Sequence, residues 1–149
     1  MNSTEPPARP TARSWYLELP TGLTLMTSNE RLHHLQRSDR TRALRQAARI
    51  AAQVARIPHL ERAYVTCYLR AKDRRRRDPG NWYPSAKAVL DGIVDAGVLA
   101  DDDSTRLLGP DMRLGDVLKT GPQLVLVVTD LTQMDPGHLA LLNPLGATA

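Results

Sequence analysis

The sequence contains no phenylalanine and has only two tryptophans and four tyrosines. The core of this 149-residue chain must therefore be largely aliphatic, and a hydrophobic content of 42% is enough for one domain. Lysine is also scarce: it occurs only at Lys72, Lys87 and Lys119, so arginine supplies most of the 20 basic residues. Arginine suits bidentate contacts with phosphate, although a GC-rich genome would produce the same bias without such contacts.

A single cysteine, Cys67, excludes an intramolecular disulfide and a cysteine-based zinc site. It falls within an alternating hydrophobic segment, which favours a buried strand residue over a reactive thiol. No apolar run approaches the roughly 20 residues of a membrane helix, and the first residues lack the apolar segment of a secretory signal. We therefore expect a cytoplasmic protein that does not enter a membrane.

Composition divides the chain into three parts. Residues 1–13 have no periodicity, which predicts a disordered leader, and residues 132–149 form a tail rich in small residues. Residues 14–131 alternate between strand and helix patterns, which predicts a small two-layer α/β (α+β) domain with two main helices on a mixed β-sheet. The predicted elements are a strand at Ser14–Leu19, a helix from Ser38 to about Ile57, a strand at Arg62–Arg70, a helix from Tyr83 to Gly97, a candidate short strand at Thr105–Leu108, a loop at Gly109–Gly121, a strand buried on both faces at Leu124–Val128 and a turn of helix within Gly137–Leu142.

Both predicted helices have an apolar stripe at helical spacing. In the first helix, the stripe comprises Ala43, Leu44, Ala47, Ala51, Val54 and Ala55. In the second it comprises Ala86, Val89, Leu90, Ile93 and Val94, whereas Lys87, Asp91 and Asp95 share a different face. Arginines on the first helix are typical of a solvated face, unless a second basic surface lies beside them.

The densest charge lies just before the second helix, where the row Arg74–Arg77 precedes Asp78. Adjacent arginines can contact successive phosphates of a nucleic acid, although they also occur in solvated loops. Three carboxylates, Asp101–Asp103, follow the same helix. Carboxylates beside a polyanion require a cation between them, and Mg²⁺ held by carboxylates activates water for phosphodiester hydrolysis. Lys87 either stabilises the transition state of such a reaction or simply pairs with Asp91.

From Asp78 to Asp102 the sequence reads D-x2-N-x5-K-x3-D-x4-A-G-x3-D-D. The order of these separated polar residues, with the arginine row before them, resembles the signature of RusA-type Holliday junction resolvases. The matching stretch runs from about Leu69 to Arg106, about a quarter of the chain. The resemblance implies a RusA-like fold and a homodimeric, Mg²⁺-dependent endodeoxyribonuclease. Such an enzyme resolves four-way (Holliday) DNA junctions in recombination and repair, and phages and prophages often encode it.

The resemblance also implies a role for each polar residue at a matching position. Asn81 would support the loop that carries the first carboxylate. The catalytic residues would be Asp78, Lys87 and Asp102; the Mg²⁺ ligands would be Asp78, Asp101 and Asp102; and the contacts with branched DNA would come from Arg74, Arg75, Arg76, Arg77 and Asn81.

The sequence departs from the family pattern at two places. Gly80 stands where the family usually has a second aspartate, and Trp82–Pro84 lengthens the path from Asn81 to Lys87 by about three residues on our alignment of the pattern. Asp103, Asp91 or water would then replace the missing ligand. Alternatively, the protein is a weakened or inactive RusA-like nuclease that still binds branched DNA, or a regulatory protein whose charges serve only solubility.

Overall fold

The computed structural model describes residues 12–146, so most of the predicted leader lies outside the described residues. Within them, four strands and three α-helices form an α+β domain, which confirms the predicted fold class. The elements are β1 (Ser14–Glu18), α1 (His34–Val54), β2 (Ala63–Arg70), α2 (Tyr83–Asp95), β3 (Leu107–Leu114), β4 (Gln123–Asp130) and α3 (Pro136–Leu142), with short 3-10 helices at Pro79–Trp82 and Leu131–Gln133. None of the helices in this part of the chain is long and apolar enough to cross a membrane.

The sheet has the strand order β1-β4-β2-β3 and is mixed. The central pair β4 and β2 is antiparallel, as is the pair β1 and β4, whereas β3 runs parallel to β2. The predicted alternation in β2 is confirmed, since Ala63, Val65, Cys67 and Leu69 are buried. These side chains belong to one core with α1 and α2, and Tyr64 and Tyr68 point to the opposite, open face.

The strand β4 is internal, but it is less enclosed than its unbroken apolar sequence predicts. Leu124, Leu126 and Val128 are fully buried on the helix side of the sheet. On the open side Val125 is buried and Val127 is only half-buried, in a pocket that Leu142 of α3 also lines. The expectation of burial on both faces is therefore met fully on one face and partly on the other.

Helices α1 and α2 cross at very short range because small residues meet there. A Cβ atom built on Gly92 would lie 2.2 Å from the carbonyl oxygen of Arg45 and 2.8 Å from the Cβ of Ala48. Only glycine fits at this crossing. The close approach brings the side chains of both helices within reach of each other, and Arg45 of α1 forms a bidentate ion pair with Asp95 of α2.

The predicted start of the first helix at Ser38 is wrong, because α1 begins at His34. The side chain of His33 accepts a hydrogen bond from the backbone N–H of Leu35 and so caps the helix five residues before Ser38. The predicted apolar stripe is also rotated. The fully buried residues are Leu44, Ala48 and Ala52, whereas Val54, which the periodicity places in the stripe, is 77% exposed.

The predicted loop at Gly109–Gly121 is wrong in its first half, where β3 continues to Leu114. Pairing with β2 outweighs the glycine and proline in this segment, and the register shifts between Tyr64 and Thr66 to accommodate them. Gly109 has a φ of 105°, and a Cβ there would lie 2.4 Å from the carbonyl oxygen of Val65. The glycine that suggested a loop is thus what allows the strand to approach its neighbour.

Candidate functional site

Lys87 lies in the second turn of α2 and is the centre of a cluster of charged side chains. Its ammonium Nζ donates a hydrogen bond to Oδ1 of Asp91 at 3.0 Å and a second, short one to Oδ2 of Asp102. Asp91 lies one turn further along the same helix, as its spacing predicts. Asp102 comes from the segment after the helix, so the structure brings together three polar residues of the predicted series.

The end of α2 explains why Asp102 returns to Lys87. Gly97 has a φ of 82°, its N–H donates to the carbonyl of Val94, and the N–H of Val98 donates to the carbonyl of Ile93. This is the Schellman arrangement, which ends a helix and reverses the chain direction. Val98 and Leu99 are then buried, which fixes the returning segment against the domain.

The hydrogen bond between Lys87 and Asp102 favours the charged form of both side chains. The hydrogen bond to Asp102 raises the pKa of Lys87, although partial burial acts in the opposite direction. The same hydrogen bond lowers the pKa of Asp102. At neutral pH Lys87 is therefore an ammonium that can donate a hydrogen bond to a developing negative charge, and Asp102 is a carboxylate that accepts hydrogen bonds or binds a cation.

Residues 101–106 form an acidic turn in which the three aspartates have different partners. Asp101 accepts a hydrogen bond from the N–H of Asp102 at 2.8 Å. Asp103 accepts from both the N–H and the hydroxyl of Thr105 and pairs with Arg106, and the bonds from Thr105 are the main reason that its pKa is lowered. Asp101 and Asp103 thus both bind groups within the turn, whereas Asp102 binds Lys87 outside it.

Asp78 caps the 3-10 helix that leads into α2. Its Oδ1 accepts a hydrogen bond from the N–H of Gly80 at 3.0 Å. The N–H of Asn81 donates to the carbonyl of Asp78 at 3.1 Å, and the carbonyl of Asn81 accepts from the N–H of Ser28 at 2.8 Å. Asn81 therefore supports this loop through its main chain.

The structure shows where the two departures from the family pattern lie, namely Gly80 and the additional residues Trp82–Pro84. A Cβ atom on Gly80 would lie 3.2 Å from Oδ1 of Asp78, which is the movable end of a side chain, so a carboxylate at this position is sterically conceivable. The additional residues Trp82–Pro84 complete the 3-10 helix and begin α2, with proline in the first turn. Trp82 packs against the core. The additional residues before Lys87 are thus part of the 3-10 helix and of the first turn of α2.

The donor chemistry of the site fits Mg²⁺, since its acceptors are carboxylate oxygens. Within residues 12–146, however, no three aspartate, glutamate, histidine or cysteine side chains lie together as a ready-made metal site. Mg²⁺ is commonly bound by one or two carboxylates together with substrate phosphates and water, which does not require such a group. The structure does not bring the predicted ligands Asp78, Asp101 and Asp102 together as one group, and Asp102, which contacts Lys87, is the one of the three that lies in the cluster.

Residues 71–78 form a basic loop in which the four arginines are not equivalent. Arg77 is only 17% exposed and its guanidinium binds Oδ1 of Asp73 at 2.5 Å and the carbonyls of Asp73 and Arg75. The hydrogen bond from Arg77 is the main reason that the pKa of Asp73 is lowered. The side chains of Arg74, Arg75 and Arg76 are exposed. The Nε of Arg75 lies 3.5 Å from Oδ2 of Asp73, but 83% of that side chain is still exposed. The surface available for phosphates in this loop therefore comprises Lys72 and Arg74–Arg76.

Sequence reasoning missed one residue that positions this region. Ser85 is fully buried, and its hydroxyl accepts from the N–H of Met26 at 2.6 Å and donates to the Met26 carbonyl at 2.9 Å. It ties the segment before α1 to the first turn of α2. The signal was present, because extending the apolar stripe of α2 back from Val89 by one turn places Ser85 in the core, where a hydroxyl needs partners.

Comparison with models of protein families gives no match to this chain, and no curated protein matches its sequence. The resemblance to RusA-type resolvases consequently depends on the order of polar residues between Asp78 and Asp102 and on the arginine row before them.

Proposed function

We propose that this protein is a Mg²⁺-dependent, structure-specific endodeoxyribonuclease that resolves four-way DNA junctions in recombination and repair. The observation that carries the proposal is the cluster at Lys87, whose ammonium is bound by both Asp91 and Asp102. Asp102 lies beyond the end of α2, so its contact with Lys87 is not a pairing within one helix. The three residues also occur in the order of a family that performs this reaction.

Each side chain of the cluster has a role that follows from its charge. Lys87 is protonated at neutral pH and stabilises negative charge on the scissile phosphate or the leaving oxygen; it does not act as a base. Asp91 orients the lysine from one side. Asp102 is ionised and would hold Mg²⁺ together with substrate phosphates and water, and Asp78 and Asp101 are the further carboxylates that the resemblance names. When bound, Mg²⁺ supplies activation of water and neutralises phosphate charge.

The basic loop supplies the contacts with DNA in this proposal. Arg74, Arg75 and Arg76 are exposed in the segment that leads to α2 and would contact successive phosphates, with Asn81 holding the loop in place. Binding should therefore weaken as salt concentration rises. Symmetric nicks in a four-way junction need two identical sites, and we include a homodimer in the proposal.

The principal experiment uses purified protein with an end-labelled four-way junction and Mg²⁺. The expected product is a pair of symmetric nicks. Lys87→Met keeps most of the aliphatic stem but removes the ammonium, and we expect it to reduce cleavage about 100-fold or more, as for other groups that stabilise developing charge. Lys119→Met is the matched control, since that lysine is exposed and outside the cluster, and it should cleave normally. Equal cleavage by both variants would contradict the proposal.

A second candidate function is binding of branched DNA without cleavage. Two observations favour it: Gly80 in place of the family's aspartate, and the lack of a three-membered group of metal-binding side chains among residues 12–146. This function predicts a salt-sensitive complex with four-way junctions whose affinity is indifferent to Mg²⁺.

Gly80→Asp distinguishes the two candidates. The variant restores a carboxylate beside Asp78. The nearest atom to the new Cβ is Oδ1 of Asp78, at 3.2 Å, which needs to shift by only a few tenths of an ångström and can keep its hydrogen bond from the main-chain N–H of residue 80. If the chain is a nuclease limited by a missing ligand, Mg²⁺-dependent cleavage should increase, whereas Gly80→Asn, of similar size but uncharged, should not produce the same gain. If neither the natural protein nor Gly80→Asp cleaves while both bind junctions, the second function is supported.

A further inference from the structure

A groove of about 550 Å³ follows one face of the first half of α1. Its lining contains three arginines, Arg37, Arg42 and Arg45, and the hydroxyl-bearing residues Ser38 and Thr41. These positions recur every three or four residues, so they share one face of the helix. Among the described residues, no aspartate or glutamate lines this surface, which we call the arginine groove. It combines charged and neutral hydrogen-bond donors without an acidic side chain, and phosphate oxygens are the acceptors that such donors suit.

The guanidinium groups of the arginine groove keep donors that the described part of the chain does not use. Arg37 forms no ion pair with any described residue. Arg42 lies 3.9 Å from a carboxylate oxygen of Asp39, but both side chains are largely exposed, so water screens their attraction. Arg45 donates to Asp95 through Nε and Nη2, which leaves its Nη1 without a partner among the same residues. All three arginines can therefore donate to a ligand without losing a strong partner.

The arginine groove adjoins the Lys87 cluster through the contact between α1 and α2. The hydrogen bonds to Asp95 raise the pKa of Arg45, and the nearby charge of Asp91 adds to this effect. Asp91 in turn accepts the hydrogen bond from Lys87. Lys87 and Asp95 are eight residues apart on α2, which corresponds to about 12 Å along the helix axis. Because each DNA strand has a phosphate about every 3.4 Å of duplex axis, one DNA arm can reach both the groove and the cluster.

We propose that the arginine groove is a second phosphate-binding site, which holds the backbone of one DNA arm a few base pairs from the phosphate bound at Lys87. The inference rests on the proposed function, because it requires junction DNA to lie over the Lys87 cluster. Phosphate contacts carry no sequence information, so the groove would position the arm and add affinity irrespective of base sequence.

The spacing of the arginines favours a DNA backbone over a small anion. Arg37 and Arg45 are eight residues apart, so they are separated by about 12 Å along the axis of α1. Successive phosphates of a DNA strand present negative charge over that whole length, whereas one inorganic phosphate would occupy only part of it. The planar guanidinium groups also suit bidentate contacts with the oxygens of each phosphate.

The test measures binding of the full chain to a labelled four-way junction at several salt concentrations, in EDTA so that no cleavage occurs. Arg37→Gln and Arg42→Gln keep a polar side chain but remove the charge. Each should reduce the slope of log affinity against log salt by about 0.9, and the double variant should reduce it by about 1.8. Both arginines are exposed, so the Tm of each variant should equal that of the natural chain.

Arg56→Gln is the matched control, because it removes the same charge from an exposed arginine outside the groove. It lies just beyond the end of α1, roughly 20 Å from Arg42 at the rise of a helix, and it should keep the natural salt slope. An unchanged slope in Arg37→Gln and Arg42→Gln would overturn the proposed site. An equal fall in Arg56→Gln would do so as well, since the arginines would then act only through net charge.

Titration calorimetry with inorganic phosphate tests the occupant. Phosphate binding that disappears in the double variant, together with an unchanged affinity for the junction, would assign the groove to a small anion and overturn the proposal. Weakened junction binding in the double variant, without measurable binding of inorganic phosphate by the natural chain, would support a site for the DNA backbone.

These outcomes separate the arginine groove from the nuclease. Suppose that the natural chain binds junctions with a salt slope that falls in Arg37→Gln and Arg42→Gln, but cleaves nothing when Mg²⁺ is added. This result would support the groove and reject the enzymatic function. A chain that cleaves junctions, with both variants binding as the natural chain does, would reject the groove and support the nuclease.

Discussion

The basic loop (residues 71–78) and the acidic turn (residues 101–106) flank α2 and carry opposite charge, yet they are organised in the same way. Each contains an aspartate that stabilises the local structure: Asp73 binds Arg77 and the N–H of Arg75, and Asp103 binds Thr105 and Arg106. Of the neighbouring charges, the side chains of Arg74–Arg76 are exposed, and Asp102 binds a lysine outside its own turn. The comparison shows that neighbouring residues of the same type can have different roles. Some of their side chains stabilise the local structure, and others can contact groups outside it.

The largest expected effect comes from exchanging aspartate for asparagine at adjacent positions of the acidic turn. Asp102→Asn removes the charge that binds Lys87 and would hold Mg²⁺, and we expect junction cleavage to fall by about two orders of magnitude or more. Asp103→Asn should cleave normally, because its side-chain oxygen can still accept from Thr105. Cleavage rates with a labelled four-way junction measure both. Equal losses in the two variants would mean that the turn acts as one structural unit.

An intermediate effect is expected from the basic loop. Arg75→Ala should weaken junction binding and reduce the slope of log affinity against log salt by about 0.9, the value for one lost phosphate contact with duplex DNA. Arg77→Ala should instead lower the Tm by about 2–4 °C, the shift that about 1 kcal/mol produces in a chain of this size, because its hydrogen bonds hold the loop.

Binding titrations at several salt concentrations, together with thermal unfolding, separate the two arginines. Arg76→Ala serves as a second exposed variant and should behave like Arg75→Ala. If Arg77→Ala changes the salt slope and leaves the Tm unaltered, the distinction between structural and exposed arginines is wrong.

The pairing of Lys87 with Asp91 and the burial of one face of β2 follow from local periodicity, so sequence alone predicts them. The return of Asp102 has a weaker but readable signal in Gly97, whose positive φ belongs to a chain reversal at the end of α2. The structural role of Arg77 was also readable, since Asp73 precedes it by four residues. Charge density nevertheless suggested four equivalent arginines.

Other features depend on contacts between distant segments and have no local signal. The extension of β3 through Gly109 arises from pairing with β2, which lies more than 40 residues earlier. The rotation of α1 is set by its crossing with α2 at Gly92. This contact has no signal in the sequence of α1, so the sequence does not show which of its alanines are buried. The link between Arg45 and Asp95 follows from the same crossing.

The smallest expected effect is on the pH dependence of stability, and it separates the contact between Lys87 and Asp102 from the hydrogen bonds that Asp103 makes within the acidic turn. Asp102 and Asp103 both have a lowered pKa when folded, so their contributions to stability are present above the unfolded value of 3.8 and are lost as pH falls through the folded value. Lys87 has a raised pKa, so its contribution is complete below 10.5 and is lost as pH rises through the folded value.

Unfolding by urea across this pH range should therefore give two different profiles. The difference in free energy of unfolding between the natural chain and Lys87→Met should be constant near neutral pH and shrink at both the acidic and the alkaline end, because both partners of the pair titrate. For Asp103→Asn the difference should shrink only at the acidic end, since Thr105 and Arg106 do not titrate in this range. If the difference in free energy of unfolding for Asp103→Asn also shrinks at alkaline pH, Asp103 is coupled to the Lys87 cluster. Asp102 and Asp103 would then not have the separate roles described above.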